Sequence, residues 1–249
     1  MLRLTLVQMR IDVYLFENGF ASSRTDAKQK ITEGLVSVNG VVITKPSFDV
    51  IGEVEIKVAE CKNKYASRGG IKLETAISEF DFEIKGRLAI DVGASTGGFT
   101  DCLLRNGAKS VISLDSGSGQ LANALRLDER VYVMENYNAR YLKAEDLPYV
   151  PELAVMDVSF ISATYIIPSI YTCLSSNADF ICLIKPQFEV GRAKVGKGGI
   201  VKDEAARKAA IDRVCCCASL AGFECKGVVK SAITGGDGNV EYLAHFKKK

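Results

Sequence analysis

Two patterns of apolar and polar positions divide the chain. Between residues 10 and 58 the apolar runs are short, and glycine, asparagine and serine interrupt them. The stretch RIDVYLFENGF predicts a helix that ends at Gly19. The stretch SSRTDAKQKITEG predicts an amphipathic helix that begins with a cap at Ser22 or Ser23 and ends at Gly34.

A hairpin signal follows these two helices. The apolar runs of LVSVNGVVI flank Asn39-Gly40, a dipeptide that readily adopts the left-handed conformation needed at both positions of a two-residue turn. The first region therefore predicts a small α+β domain of two helices and a short sheet.

From residue 71 the pattern changes to alternating strands and helices. The candidate strands are 88–93, 110–115, 131–135, 153–158, 180–185, 223–229 and 240–246. The candidate helices are 71–80, 97–106, 118–127, 163–174 and 203–220. Such alternation predicts an α/β fold, with a mostly parallel sheet between two layers of helices. The segment KSAITGGDGN joins the last two strands and favours an antiparallel hairpin at the edge of the sheet.

One strand ends in an unusual way. In FICLIKPQFE an apolar run that is typical of a strand buried on both faces leads directly to Lys185. A lysine is costly to remove from water, so its position at the mouth of the strand suggests a function. In an open parallel sheet ligands bind at the carboxyl ends of the strands.

Composition and charge narrow the classes of protein. The 249 residues are 47% hydrophobic and 25% charged, which is ordinary for a soluble globular protein, and the net charge of +2 makes any basic surface local. No apolar run reaches the roughly 18 residues of a membrane helix, and MLRLTLVQ is too short for a signal peptide. None of the eight cysteines forms a C-x-x-C pair. We therefore expect a cytoplasmic protein with reduced cysteines and no metal site.

A glycine-rich turn is the strongest candidate for a nucleotide site. In LAIDVGASTGGFTD an apolar strand and Asp91 precede glycines in the order G-x-x-x-G-G, whereas a dinucleotide fingerprint reads G-x-G-x-x-G. A carboxylate at this point suits the sulfonium and ammonium of S-adenosylmethionine better than a diphosphate. Asp115 ends the next strand, where a carboxylate can accept both hydroxyls of a ribose. Tight packing between strand and helix is the alternative explanation for the glycines.

These considerations define a set of donor contacts. Asn138, after the third strand, is the best candidate for reading an adenine. The expected cofactor-binding residues are Asp91, Gly93, Ala94, Ser95, Thr96, Gly97, Gly98, Phe99, Asp115, Ser116, Asn138 and Asp157.

Six motifs together resemble a known family. They are YASRGGIKLETAI, DVGASTGGFTD, DVSFIS, LIKPQFE, GKGGIVKD and GNVEYL. In this order they resemble the TlyA or hemolysin A family, which joins an S-four-type RNA-binding domain to an FtsJ-like methyltransferase domain of Rossmann-like fold. The resemblance implies an S-four-type domain at 9–60, a linker at 61–70 and a methyltransferase domain at 71–249. It also implies 2′-O-ribose methylation of ribosomal RNA.

The resemblance also implies a catalytic tetrad. FtsJ-like enzymes use Lys-Asp-Lys-Glu, and the matching positions are Lys72, Asp157, Lys185 and Glu241. Lys185 accepts the proton of the 2′-hydroxyl only in its neutral form, which a cationic neighbour and burial favour and the two carboxylates oppose. General base is therefore the first hypothesis for Lys185, and orientation of the hydroxyl as an ammonium is the alternative.

RNA contacts are expected from clustered cations. Arg24 and Lys28 share a helix face, and the loop after Lys185 is basic and rich in glycine. The candidate RNA-binding residues are Arg10, Arg24, Lys28, Lys30, Arg68, Arg192, Lys194 and Lys197. We expect the loop to act as a mobile clamp on ribosomal RNA or a ribosomal subunit.

Two other functions compete with methyl transfer. A noncatalytic RNA-binding factor for ribosome assembly would need no tetrad. A haemolysin would need an export signal or a membrane segment, and the sequence offers neither. His245 lies in the last apolar strand, and a structural role is expected for it.

Overall fold

The structure is a computed structural model that describes residues 8–21, 23–32, 34–52, 54–59 and 64–249. The predicted cap at Ser22, Cys61 and the leading seven residues lie outside the described residues. The chain divides between residues 62 and 63 into two units, which we describe separately. The boundaries 9–60, 61–70 and 71–249 stay a prediction.

The first unit is a small α+β domain. Its elements are β1 (Gln8–Arg10), α1 (Ile11–Glu17), α2 (Arg24–Thr32), β2 (Val36–Val38), β3 (Val41–Ile43), β4 (Asp49–Ile51) and β5 (Ile56–Val58). Strands β3, β2 and β5 form an antiparallel sheet, and β1 pairs with β4. Apolar residues of both helices and of the sheet form its core, among them Ile11, Leu15, Ile31 and Val36.

The predicted hairpin joins β2 to β3. Asn39 and Gly40 have φ angles of 50° and 79°, so both central residues of the turn are left-handed. This geometry matches the twist of a two-residue hairpin. The N-terminal signals are also confirmed at Ser23, whose Oγ accepts a hydrogen bond from the amide of Asp26 at 3.1 Å.

The second unit contains the long alternation of strands and helices. Its elements are α3 (Gly69–Glu79), β6 (Leu88–Val92), α4 (Gly98–Arg105), β7 (Ser110–Leu114), α5 (Asn123–Arg126), β8 (Val131–Met134), β9 (Leu153–Met156), α6 (Ile167–Cys173), β10 (Asp179–Ile184), α7 (Pro186–Glu189), α8 (Glu204–Ala221), β11 (Phe223–Lys230) and β12 (Tyr242–Lys248).

These strands form one twisted sheet with the order β11-β12-β10-β9-β6-β7-β8. The five strands from β10 to β8 are parallel, and β12 runs antiparallel to both of its neighbours. The prediction of a mostly parallel sheet with an antiparallel edge hairpin is therefore confirmed. The chain reverses its direction of winding between β6 and β9, and such a switch point opens a crevice at the carboxyl ends of the strands.

Alternation along the strands creates two cores. In β6, Ala89 faces one apolar cluster, whereas Ile90 and Val92 face the other. All six residues of β10 are buried. Successive side chains of a strand point to opposite faces, so both faces of β10 are covered, and its residues after Asp179 are accordingly apolar or cysteine.

Two of the predicted helices are shorter than expected. Only Asn123–Arg126 of the segment 118–127 is helical, because the residues before it form a loop in which the amide of Gly117 bonds to Asp115. The segment 163–174 is divided into a 3-10 turn at Ala163–Tyr165 and α6. Pro168 lies in the first turn of α6, where it cannot continue a preceding helix because it lacks an amide hydrogen.

The remaining sequence expectations concern cysteine, metal and membrane. The seven described cysteines are free. Among the residues that the structure describes, no group of three His, Cys, Asp or Glu side chains is arranged to hold a metal ion. None of the helices in this part of the chain is long and apolar enough to cross a membrane.

Candidate active site

A cavity of about 450 Å³ opens at the carboxyl ends of β6, β7 and β9. Of the twelve predicted donor contacts, six line it: Gly93, Ser95, Asp115, Ser116, Asn138 and Asp157. We call it the donor cavity. Its other walls come from residues that sequence reasoning missed: Leu114, Gln120, Tyr137, Ala139, Val158, Ser159, Phe160, Ile161 and Ile166.

The glycine turn brings the backbone close to this cavity. Gly93 has a φ of 86°, and a Cβ atom there would lie 2.5 Å from the carbonyl oxygen of Asp157. The amides of Gly93 and Ala94 both donate to the carbonyl of Leu114, which ties β6 to β7 at the turn. Only glycine fits at position 93 without displacing the backbone after β9.

Five other predicted donor contacts at the turn do not line the donor cavity. A Cβ at Gly97 would overlap the side chain of Leu125, and one at Gly98 would overlap Ser67. Phe99 is buried in the core cluster below the turn. Thr96 and Ala94 likewise do not line the donor cavity. These five positions shape the turn, and the alternative of tight packing describes Gly97 and Gly98 well.

Asp91 is fully buried below the turn. Its Oδ2 accepts hydrogen bonds from the amide and the hydroxyl of Thr100, at 2.9 and 2.7 Å. Its Oδ1 is buried and has no hydrogen-bond partner. Burial raises the pKa of Asp91 to about 7, although the bonds from Thr100 act in the opposite direction.

Asp115 binds the backbone around it. Its Oδ2 accepts from the amide of Ser95 at 2.8 Å, and its Oδ1 accepts from the amide of Gly117 at 2.7 Å. Each carboxylate oxygen has two lone pairs, so the side chain is oriented by these bonds and keeps acceptor capacity toward the cavity. The small residues after Asp115 are thus part of the structure that orients it.

The side-chain oxygen of Asn138 is already bonded within the protein. Its Oδ1 accepts from the amide of Arg140 at 3.0 Å and caps a 3-10 turn. The Nδ2 group is the part of Asn138 that is left to contact a ligand. Tyr137, Ile161 and Ile166 provide an apolar wall beside it.

The four residues of the predicted tetrad meet beside the donor cavity. Nζ of Lys72 lies 2.7 Å from Oε2 of Glu241 and 3.8 Å from Oδ2 of Asp157. Nζ of Lys185 lies 2.5 Å from Oδ1 of Asp157 and donates to Oγ of Ser159 at 2.8 Å. The structure therefore brings together side chains that are up to 169 positions apart along the chain.

Different elements carry the tetrad. Lys72 lies in the first turns of α3, and Asp157 and Lys185 follow β9 and β10 directly. Glu241 precedes β12. Lys72 and Lys185 are each 9% exposed, and Glu241 is 2% exposed. Charges this deeply buried are retained only when they are paired.

The carboxylates of the tetrad keep unused acceptor capacity. Oδ1 of Asp157 and Oε2 of Glu241 lie at ion-pair distance from the lysines but receive no hydrogen bond of good geometry.

A second cavity of about 320 Å³ begins where the tetrad lies, and we call it the acceptor cavity. Its lining residues are Lys72, Ser159, Phe160, Lys185, Gln187, Phe188, Val195, Gly199, Gly236, Asp237 and Glu241. Ser159 and Phe160 line both cavities. A group held in one cavity is thus next to a group held in the other.

The predicted basic loop borders the acceptor cavity through Val195 and Gly199. Its cations Arg192, Lys194 and Lys197 are exposed. Asn239, which sequence reasoning missed, fastens this loop. It is 1% exposed, accepts from the amide of Val201 at 3.0 Å and donates to the carbonyl of Gly199 at 2.9 Å.

The remaining predicted RNA contacts lie elsewhere. Arg68 donates to the carbonyl of Thr234 at 3.3 Å in the second unit. In the first unit, Arg10 and Arg24 both bind the buried carboxylate of Asp12. Their guanidinium groups are about half exposed, so they are oriented by Asp12 and still reach solvent. Lys28 is exposed, whereas Lys30 pairs with Asp26 at 3.1 Å.

His245 has a structural partner, as expected. Its Nε2 lies 2.8 Å from Oδ1 of Asp179, at the end of the sheet opposite the cavities. Arg87 and Lys247 bind the same carboxylate. Burial alone would raise the pKa of Asp179, but the bonds from His245, Arg87 and Lys247 lower it below its usual range.

Comparisons with known proteins agree with this geometry. Residues 65–248 match the family of FtsJ-like methyltransferases, and residues 9–56 match the S4 domain. The 16S/23S rRNA (cytidine-2'-O)-methyltransferase TlyA of Mycobacterium tuberculosis is 41% identical over 94% of this chain and 88% of its own length. Hemolysin A of Brachyspira hyodysenteriae is 43% identical over 96% of this chain and 99% of its own length.

Solved structures give the same result. A Streptococcus thermophilus protein superposes with a TM-score of 0.77 and 40% identity, over 98% of this chain and 90% of that chain. An S-adenosylmethionine-dependent methyltransferase of Mesorhizobium loti shares the fold at 14% identity, with a TM-score of 0.55 over 72% of this chain and 98% of that chain. The chain therefore belongs to the family of FtsJ-like methyltransferases and carries an S4 domain ahead of its methyltransferase domain.

Proposed function

We propose that the protein transfers a methyl group from S-adenosylmethionine to the 2′-hydroxyl of a ribose in ribosomal RNA. The observation that carries this proposal is the convergence of Lys72, Asp157, Lys185 and Glu241 at the junction of two cavities. The relative from Mycobacterium tuberculosis is named for cytidine-2′-O-methylation, and we extend that reaction, with cytidine as the target nucleoside, to this chain.

The donor cavity suits S-adenosylmethionine. Oδ1 of Asp91, below the turn, is a buried acceptor without a partner, and the absence of a Cβ atom at Gly93 lets the turn approach the backbone of Asp157. We expect Asp115 to accept the hydroxyls of a ribose with the lone pairs that Ser95 and Gly117 leave unused, and we expect Nδ2 of Asn138 to contact an adenine. A volume of about 450 Å³ lies within the range of about 300–1,000 Å³ that is usual for ligand pockets. When bound, the donor supplies a methyl group made electrophilic by a sulfonium.

The tetrad prepares the acceptor hydroxyl. The 2′-oxygen forms a bond to the methyl carbon as the bond from that carbon to sulfur breaks, and the hydroxyl loses its proton. We expect Lys185, which lines the acceptor cavity, and Asp157, which lines the donor cavity, to contact that hydroxyl, and we expect Glu241 to hold Lys72 beside them. Alignment of the two reacting groups contributes much of the rate.

The ion pair with Asp157 favours one of the two roles considered for Lys185. A protonated Lys185 orients the 2′-hydroxyl and stabilises the negative charge that develops on its oxygen. Asp157 is then the acceptor for the departing proton, because it lines the donor cavity and its carboxylate lies beside Nζ of Lys185. The role of general base would require Lys185 to lose its proton in the complex with RNA.

Methyl transfer to ribosomal subunits tests the proposal. Each subunit, purified from a strain that lacks this gene, is incubated with protein and labelled S-adenosylmethionine, and ribose methylation is mapped by nucleoside. We expect label in 2′-O-methylcytidine. Lys185→Ala should lower the rate at least about 100-fold, the lower end of the contribution of a positioned acid or base, with donor affinity changed little.

Two controls make this result specific. Lys208→Ala, an exposed residue of α8 outside both cavities, should retain activity. Donor binding without methyl transfer to either subunit would contradict the proposal and would favour the noncatalytic assembly factor.

A further inference from the structure

The acceptor cavity contains an amide that the proposed chemistry does not use. Gln187 lies in α7, two residues after Lys185, and its side chain lines the cavity. Its Oε1 atom is buried and has no hydrogen-bond partner. Buried acceptors are nearly always bonded, so the partner of this oxygen is expected to be a group that enters the cavity.

Two phenyl rings line the same cavity. Phe160 is 92% exposed, and its φ of 65° is left-handed, which is unfavourable for a bulky residue. The centroid of its ring lies 5.4 Å from that of Phe188, at an interplanar angle of 52°. Exposed aromatic faces of this kind stack on nucleobases. The cavity thus combines apolar faces with the unsatisfied amide oxygen of Gln187.

The size and position of the cavity limit what can occupy it. At about 320 Å³ it is at the small end of ligand pockets, which suits one nucleoside taken out of its stack better than a length of helix. The ribose of that nucleoside must place its 2′-hydroxyl at Lys185 and Asp157. Its base then lies among Phe160, Gln187 and Phe188, which line the cavity beside the tetrad.

We propose that Gln187 determines base specificity by accepting a hydrogen bond from the exocyclic amine of the target base. The inference rests on the proposed function and adds the residue that selects the base. Oε1 of the amide accepts from the 4-amino group of cytosine, and Nε2 donates to the adjacent ring nitrogen. Uracil presents an oxygen in place of the amine and an N–H in place of the ring acceptor, so its binding would require the amide of Gln187 to turn over and to place Nε2 in the buried position of Oε1. Single-stranded RNA is commonly read along this edge of the base.

The test compares substrates and variants together. After the methylated position has been mapped, ribosomal subunits are reconstituted with cytidine, uridine or the pyrimidin-2-one ribonucleoside at that position. The third base keeps the 2-oxygen and the ring nitrogen but has neither the 4-amino group of cytosine nor the 4-oxygen of uracil. For the unchanged protein we expect kcat/KM to be about 30-fold higher with cytidine than with either other base, the middle of the range for a good bidentate contact.

Gln187→Met removes both polar groups at nearly constant volume. Its kcat/KM with cytidine should fall about 30-fold, and its preference for cytidine over the pyrimidin-2-one should fall to within about 3-fold. Donor affinity should not change. A loss of activity with the base preference intact would overturn the inference, because Gln187 would then act on the ribose or on the tetrad.

A matched glutamine serves as the control. Gln120 lines the donor cavity and contacts Oγ of Ser95 at 3.2 Å. Gln120→Met should weaken donor binding without changing the base preference. If Gln187→Met fails to fold, the comparison of the three bases with the unchanged protein still decides, since equal rates would overturn the inference. Absence of methyl transfer by the unchanged protein would overturn the proposed function itself, and this inference with it.

Discussion

At the scale of single residues, the burial of Asp91 below the glycine turn has an electrostatic cost. It is fully buried, and only one of its two oxygens is bonded within the protein. Its pKa is raised from 3.8 to about 7. Between these two values the folded protein holds a proton that the unfolded chain has released, so the contribution of Asp91 to stability falls as pH rises through this window. A bound cation would offset that cost.

The pH dependence of donor binding follows from this burial. If Oδ1 of Asp91 contacts the donor ammonium, binding requires the ionised carboxylate, and affinity should rise up to about tenfold per pH unit below pH 7. Asp91→Asn should bind more weakly at pH 8 and should lose this dependence. Calorimetric titration of both proteins with S-adenosylmethionine between pH 5.5 and 8 measures the difference. The donor's own amino group also titrates, but its effect is the same for both proteins and cancels in the ratio of the affinity of the unchanged protein to that of Asp91→Asn. A ratio that does not vary with pH would exclude a role for Asp91 in binding the ammonium.

The residues of the candidate site were predictable where one short segment of the sequence determines their position. Asp91, Gly93 and Asp115 follow directly from a strand and a turn in the sequence, and the structure places Gly93 and Asp115 at the donor cavity. Asn239 could not be found in this way, because its partners Gly199 and Val201 lie about 40 positions earlier. A polar residue in a loop carries no periodic signal, so long-range hydrogen bonds of this kind become visible only with the fold.

At the scale of elements, the β10–β12 pair is held by charge at the end remote from the cavities. Asp179 begins β10 and accepts from His245 and Lys247 of β12, and from Arg87 before β6. The carboxylate is almost completely buried. Because its pKa is lowered, its stabilising effect is fully present above the unfolded value near 4 and is lost as pH falls below it.

Removal of the charge at Asp179 should destabilise the methyltransferase unit. Asp179→Asn leaves two cations and His245 around an uncharged amide, and we expect a loss of about 3–5 kcal/mol in the free energy of unfolding at pH 7. The loss should shrink as pH falls below 4, because the unfolded chain then takes up a proton at Asp179 while the folded protein keeps this carboxylate ionised. Urea unfolding at pH 7 and pH 3.5 measures both values. Glu224→Gln removes an exposed pair with Lys226 and should have little effect. Equal losses for Asp179→Asn at the two pH values would contradict the assignment.

Elements were predictable where hydrophobic periodicity dominates. All seven strands of the sheet lie where the apolar runs indicate. The signal is clearest in β9 and β10, because burial of every residue leaves little choice of residue type. The errors fall at 118–127 and 163–174. Before the first segment, the backbone amide of Gly117 bonds to the carboxylate of Asp115 and a loop forms. In the second segment, a proline in the first turn of α6 overrides helical periodicity. The turn α7 (Pro186–Glu189) was not predicted, because four residues are too few to show a period.

At the scale of the whole molecule, we expect two units to contribute to RNA binding in different ways. We expect the acceptor cavity to hold one nucleoside and the exposed cations of the first unit to contact phosphates without regard to sequence. Lys28 is exposed on α2, one turn after Arg24. Its charge is therefore a clean probe of the first unit.

Loss of one phosphate contact should appear in the salt dependence. For Lys28→Gln in the full chain, the slope of log affinity for ribosomal RNA against log salt concentration should fall by about one. The mapped methylation site should not change. Lys57 is an exposed cation on β5 that pairs with Glu55, and Lys57→Gln should leave the slope unchanged. An unaltered slope for Lys28→Gln would remove this residue from the RNA contacts.

The position of β12 has a consequence for synthesis of the protein. It is the last strand of the sheet to leave the ribosome, yet it is inserted between β10 and β11, and Glu241 immediately precedes it. A growing chain that lacks residues 241–248 has an open gap in the sheet, and Lys72 lacks the carboxylate of Glu241, which lies 2.7 Å from its Nζ atom. We therefore expect the insertion of β12 to close the sheet and to complete the tetrad in one event.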